Sequence, residues 1–279
     1  MVKEAMAAAV RPATPGRPSV EAPLHGSFGA RFVIHTHPAL VNGLTCSRDG
    51  EEVCRRLFPD VLRMPYVEPG YTLCMEVRTA TARHRAATGT DPAVVMLQNH
   101  GLFVAGDTPD AVRSAYWRIM AGLRAEYVRR GVSPDPSLPA EADPAVAARL
   151  ADELRAVMGA EAAHAAIAGP FDAAEGPLSP DHIVYARSFP LIGPAGNKEL
   201  EGYRRRHGVW PKVVATPEAV AGVGASRRDA ELALEFAQNG SQVRRLAMAF
   251  GGPRYLSDAA RRFIEKWEAE SYRRQVSTS

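Results

Sequence analysis

Two apolar runs in this chain end in histidine, and this pattern limits its possible folds and chemistry more than any other feature. The first is Arg31-Phe32-Val33-Ile34-His35-Thr36-His37-Pro38. Phenylalanine, valine and isoleucine in succession favour an extended strand. Residues i and i+2 of a strand share a face, so His35 and His37 leave its end side by side. The second run, Val94-Val95-Met96-Leu97-Gln98-Asn99-His100-Gly101, ends in another histidine followed by glycine. Two imidazoles from one strand end and one from another match the three protein ligands of a catalytic zinc whose fourth position stays open. Each motif alone also suits a hydrogen-bonded histidine. Placing all three at strand ends is what points to a metal.

The flanking motifs carry a resemblance. Pro18-Ser19-Val20-Glu21 precedes the His35/His37 pair. Pro65-Tyr66-Val67-Glu68-Pro69-Gly70-Tyr71 and then Gln98-Asn99-His100-Gly101-Leu102 follow it. In this order the motifs resemble the class II aldolase/adducin family, most clearly over residues 1–130. The resemblance implies Glu21 as catalytic acid/base and His35, His37 and His100 as metal ligands. It implies zinc, with manganese, iron or cobalt as alternatives, since imidazole suits several first-row metals. It implies a metal-dependent aldehyde-lyase of sugar catabolism that cleaves a ketose phosphate or related hydroxyketone through a metal-stabilised enediolate. A non-catalytic, adducin-like binding protein and an epimerase or dehydratase of the same family are the alternatives. The family's usual segment ahead of the glutamate, with its phosphate-binding loop, is not visible before Glu21, so weak binding of phosphorylated substrates is expected. The family also implies a homo-oligomer.

Read as residues, Glu21 sits among Val20, Ala22 and Leu24, where burial would raise its pKa into a useful range. The same residue could equally be a solvated loop carboxylate. Tyr66 and Tyr71 are candidate proton donors or packed side chains. Glu68 reads as a loop residue, and His25, close to Glu21, stays outside the ligand set.

The fold expected is α/β, layered, with a mainly antiparallel central sheet flanked by helices. Residues 11–18 form a turn-rich loop leading to Glu21. Strands are expected at 32–37, 61–67, 93–98 and 102–105, and helices at 49–58 and 71–88. A further helix is capped by Asp107, with Asp110 three residues on, and is ended by Gly131. Tyr116, Trp117, Ile119, Met120, Leu123 and Tyr127 on that helix read as core. The division expected is a metal domain at 1–132, a linker at 133–143, and an aldolase-like second half at 144–279 without ligands. That half starts with an alanine-rich helix over 144–168, whose His164 packs or meets solvent. A gap-free alignment sets Val94 against Val213 and His100 against Ala219. It also sets Asp107 against Ser226, which suggests a degenerate internal copy.

Composition narrows the partners. The chain has 279 residues and a formal charge of +3, too small an excess to argue for nucleic acid. The short run Arg204 to Arg206 reads as a solvated helix end. Cys46, Cys54 and Cys74 lack Cys-x-x-Cys spacing and fit reduced thiols in a cytoplasmic protein. No apolar stretch approaches a membrane span. No Gly-x-Gly-x-x-Gly marks a dinucleotide domain. The expected partner is a small-molecule substrate.

Overall fold

The computed structural model describes residues 2–11 and 19–267. The loop expected at 11–18 lies outside them beyond its first residue. Helix α1 spans Val2–Ala8, and the one-turn helix α2 spans Ala22–His25. Strand β1 (Phe32–Thr36) is followed by helices α3 (Ala39–Thr45) and α4 (Gly50–Leu57), then by strand β2 (Leu62–Met64). Helix α5 (Tyr71–Thr88) leads to the hairpin of β3 (Val94–Leu97) and β4 (Gly101–Gly106), and helix α6 (Pro109–Arg129) follows. The strands order as β1-β4-β3-β2, antiparallel except for the β2–β3 pair.

The central strands β3 and β4 are buried on both faces, which is why β3 reads as an unbroken apolar run. Met96, Leu102 and Val104 pack on one side against Val41, Ile119 and Leu123 of α3 and α6. Val95, Phe103 and Ala105 pack on the other against Leu24 and Phe28, beside α2, and Leu73 and Val77 of α5. The result is helices, sheet, helices, the expected α/β layering.

The remaining elements repeat the plan. They are helix α7 (Pro144–Met158), strand β5 (His164–Ala168), helix α8 (Pro180–Ala186), strand β6 (Leu191–Ile192) and helix α9 (Asn197–His207). Strands β7 (Val213–Ala215) and β8 (Val220–Gly224) and helices α10 (Arg227–Ala247) and α11 (Asp258–Lys266) complete the described chain. The second sheet orders as β5-β8-β7-β6, with the same pattern of directions as the first. It stands as a separate sheet and does not extend the first.

Four sequence expectations need correction. The helix expected over 144–168 stops at Met158, where Gly159 takes φ 59°, and residues 164–168 form β5 instead. An alanine-rich stretch does not distinguish the two outcomes locally; pairing with β8 decides it. His164 is exposed at the strand start. The gap-free alignment fails by one residue in the turn. Met96 pairs with Leu102, and the corresponding Ala215 pairs with Val220 across a turn one residue shorter. Counted back from β8, Ala219 takes the place of Gly101, and the exposed Glu218 takes that of His100. The same offset moves the helix cap: Thr108, not Asp107, accepts from the Ala111 N–H, as Ser226 accepts from Asp229. Finally, Trp117 is 61% exposed, whereas Ile119, Met120, Leu123 and Tyr127 are core.

Helix α10 ties the two layered units together. Ala233 and Ala237 pack on the second sheet, while Leu246, with Phe250 just beyond the helix, enters the core of the first. Gly43 of α3 makes this approach possible, because a methyl group there would overlap the Tyr127 hydroxyl and the Leu246 side chain. Tyr127 in turn donates to the Leu40 carbonyl at 2.7 Å. Gly43→Ala should therefore destabilise the protein by about 1–3 kcal/mol, as overpacking of a dense core does. Urea denaturation checks this; a midpoint equal to wild type would mean that α3 and α10 can separate freely.

Candidate metal centre

His35 is the fourth residue of β1 and points to the α2/α5 side of the sheet, where its ring stacks on Phe103 at 4.0 Å between centroids. Its Nδ1–H donates to the Leu102 carbonyl at 2.9 Å. A carbonyl can only accept, so this contact assigns the proton to Nδ1 and leaves Nε2 as a lone pair. His37 follows the strand on the same side. Its Nδ1–H donates to Oδ2 of Asp181 at 2.6 Å. The two Nε2 atoms then face each other at 2.8 Å. Two lone pairs at that distance repel unless a positive charge, a proton or a metal cation, lies between them.

His100 reaches the same point from the β3–β4 turn. Asn99 adopts φ 54°, a conformation that asparagine tolerates better than most residues. Its side-chain amide donates to the Leu178 and Arg254 carbonyls at 2.9 and 2.7 Å, which fixes the turn. Gly101 is required next, because a methyl group there would strike the Thr36 carbonyl and the His37 ring. The His-Gly pair is thus a steric requirement of bringing the β4 start against the β1 end.

Glu21 arrives from the segment before α2, anchored by the fully buried Leu24. Its Oε1 accepts from His100 Nε2 at 2.9 Å, and its Oε2 lies 3.8 Å from His35 Nε2. One ligand atom from each of Glu21, His35, His37 and His100 falls within 4.8 Å of the others. The structure therefore brings together all four residues singled out in the sequence. Three imidazole nitrogens and one carboxylate oxygen form a donor set suited to a divalent transition metal.

The electrostatics correct one expectation. Burial does push the Glu21 carboxyl up, but the His100 hydrogen bond and the charges of His100, His35 and His37 outweigh it. The net value is about 2, so Glu21 is a carboxylate at neutral pH. Burial is also the main reason the His35 pKa falls, to about 3, with His100 acting in the same direction. A neutral His35 is the form that can ligate a metal.

The other candidates lie apart from this cluster. His25 is exposed against the edge of Phe103, and Tyr71 is 55% exposed at the start of α5. Tyr66 packs against Ile183 and Ile264 with its hydroxyl unpartnered among the described residues, and burial, then Glu68, raises its pKa. Sequence reasoning missed Asp181. Nothing local marks it, since it lies on α8, far along the chain from the histidine it orients.

Comparison with known proteins bears on this arrangement. Residues 2–124 match the Class II Aldolase and Adducin N-terminal domain. The chain is 30% identical over 95 residues to a Bacillus subtilis (strain 168) protein named uncharacterized oxidoreductase YuxG; the match covers 34% of this chain and 13% of that protein. A solved N-terminal class II aldolase domain of a conserved protein from Thermoplasma acidophilum is 26% identical, with a TM-score of 0.36. That match covers 41% of this chain and 50% of the solved one. The stretch matched to that family domain, residues 2–124, carries Glu21 and all three histidines of the cluster.

Proposed function

We propose that this chain is a metal-dependent aldehyde-lyase. In this reading His35, His37 and His100 hold one divalent metal, zinc being the best fit, and Glu21 moves the proton. The observation that carries it is the pair of Nε2 atoms 2.8 Å apart, each aimed by a hydrogen bond on its Nδ1. A third imidazole and a carboxylate converge on the same point. Such a cluster is costly to assemble without a cation, because burial removes the water that would otherwise solvate it.

When bound, the metal would act as a Lewis acid on the carbonyl of a ketose phosphate or related hydroxyketone. The chain's own residues do the rest. Glu21, ionised at neutral pH, is set to act first as a base. In the condensation direction it removes a proton from the carbon beside the carbonyl. In the cleavage direction it returns that proton to the same carbon. His100 Nε2 lies 2.9 Å from Oε1, so the imidazole that would take the metal also holds the carboxylate beside the cluster. The Leu102 carbonyl and Asp181 hold their rings in one orientation, which protects the geometry during turnover. A homo-oligomer acting in the cytoplasm belongs to the same reading. Phe32 and Ile34, 44% and 37% exposed on the edge strand β1, are surface that a second copy would cover. No helix among the described residues is long and apolar enough to cross a membrane.

Replacing His35 and His37 together by alanine should remove the metal found by elemental analysis of purified protein. Full metal content in that variant would end the assignment. Asp181→Ala should leave the ligands in place but weaken metal affinity about 10–100-fold, as loss of an orienting partner does. Competition with a chromogenic chelator measures it, and an unchanged affinity would show that Asp181 does not orient His37.

Glu21→Gln keeps the shape and should keep the metal. It should slow exchange of the carbon-bound proton of dihydroxyacetone phosphate into heavy water by about 10²–10⁴-fold. Proton NMR follows the exchange. A wild-type rate in the variant would place the base elsewhere.

A further inference from the structure

Two buried polar side chains flank Asp181 without joining the metal cluster. Ser179 and His182 are 2% and 6% exposed at the start of α8. Ser179 stands in extended backbone just before the helix, where a serine hydroxyl ordinarily accepts from an N–H two or three residues on. It makes no such bond here. Its Oγ lies instead 2.8 Å from Nδ1 of His182. The capping hydroxyl is thus diverted to a side chain of the first turn. The bond closes a loop around Pro180 and Asp181, and the Asp181 backbone can shift only by straining it.

Both ends of this loop are anchored. Upstream, Leu178 is fully buried, and its carbonyl accepts from the Asn99 amide and the Cys46 thiol at 2.9 and 3.2 Å. Downstream, the His182 ring seats on α10. It meets Phe236 edge-on at 5.9 Å between centroids. Gly240 leaves it room, since a methyl group there would lie 3.2 and 3.3 Å from Cδ2 and Nε2. Successive side chains on a helix point about 100° apart. Seating His182 on α10 therefore sets the direction in which Asp181 leaves α8, toward His37 Nδ1 at 2.6 Å.

His182 acts on its neighbour by shape and hydrogen bonding rather than by charge. Burial pushes its pKa down to about 4, against the pull of Asp181 and the Asn239 amide, so the ring is neutral at neutral pH. Its Nε2 makes no hydrogen bond among the described residues. An imidazole is a costly occupant of such an apolar niche. The Ser179 bond is what offsets that cost.

We propose that Ser179 and His182 are positioning residues for the metal centre. Their hydrogen bond holds the first turn of α8 so that Asp181 keeps the His37 ring aimed inward. The effect on metal affinity rests on the metal reading above; the hydrogen-bonded path from α10 to His37 does not.

The test pairs metal affinity with a signal from the metal-free protein. His182→Phe keeps an aromatic ring against Phe236 and removes Nδ1. It should weaken metal binding about tenfold in competition with a chromogenic chelator, as loss of an outer hydrogen-bond partner does. Ser179→Ala, a smaller change, should act in the same way. His182→Asn should restore near wild-type affinity, because its amide can take the place of Nδ1 beside Ser179. Added to Asp181→Ala, His182→Phe should cause no further loss, since its effect passes through Asp181. In metal-free protein the short His37–Asp181 bond should give a downfield proton resonance, identified by its disappearance in Asp181→Ala. That resonance should move or vanish in His182→Phe and Ser179→Ala and persist in His182→Asn. An unmoved resonance in Ser179→Ala would overturn the inference even if His182→Phe did not fold. So would an equal loss of affinity from His182→Phe with and without Asp181. Failure of the wild type to bind any metal would overturn the metal reading alone, and the resonance would then decide the positioning role.

Discussion

Two imidazole nitrogens held 2.8 Å apart are the constraint that the rest of the site serves. Each ring must be turned so that its Nδ1 proton has an acceptor and its Nε2 faces inward. The sheet supplies one acceptor at no extra cost, because β4 runs beside β1 and presents the Leu102 carbonyl to His35. No strand borders His37 in the same way, since it lies beyond the end of β1. Its acceptor has to come from elsewhere in the chain, and Asp181 provides it.

That requirement gives the second layered unit a role. Its strands match the first sheet in order and direction, yet the rung that carries His35 in the first carries no histidine in the second. Ile167 occupies the rung of His35, pairing with Ala221 as His35 pairs with Phe103. What this unit contributes is position. Asp181 orients His37, the Leu178 and Arg254 carbonyls hold Asn99, and α10 packs its C-terminal end into the first core. Each contact fixes one side of the cluster from outside the first sheet. A site built from strand ends would otherwise depend on the sheet alone, and strand ends fray more readily than strand centres.

Much of this was legible in the sequence because it is local. An apolar run ending in His-x-His sets both rings on one face by the two-residue period of a strand. The Asn-His-Gly turn follows from backbone demands at adjacent positions. Helix α5 was legible to the residue, since Gly89 ends it with a left-handed cap at φ 81°. What was not legible depends on distance or on competition. Asp181 has no local mark, because its meaning comes from a fold that brings it 144 positions back to His37. The stretch over 144–168 split into helix and strand because β8 competes for its end. Trp117 fits the helical period but falls on the solvent side, since periodicity gives the spacing of a face more reliably than its limits.

Glu21 shows how a local reading of charge can fail while the residue itself is well chosen. Apolar neighbours in sequence suggested a raised pKa, and burial does act in that direction. The stronger influence comes from side chains that share no sequence neighbourhood with Glu21. His100 donates a hydrogen bond to its carboxylate, and His35 and His37 stand close behind. Those three rings are also the ones positioned to share a cation with it. A carboxylate whose acidity is set by three neighbouring imidazoles is coupled to their charge. The charge at the centre thus controls the proton affinity of the group beside it, and both depend on the orientation that Leu102 and Asp181 impose from opposite sides.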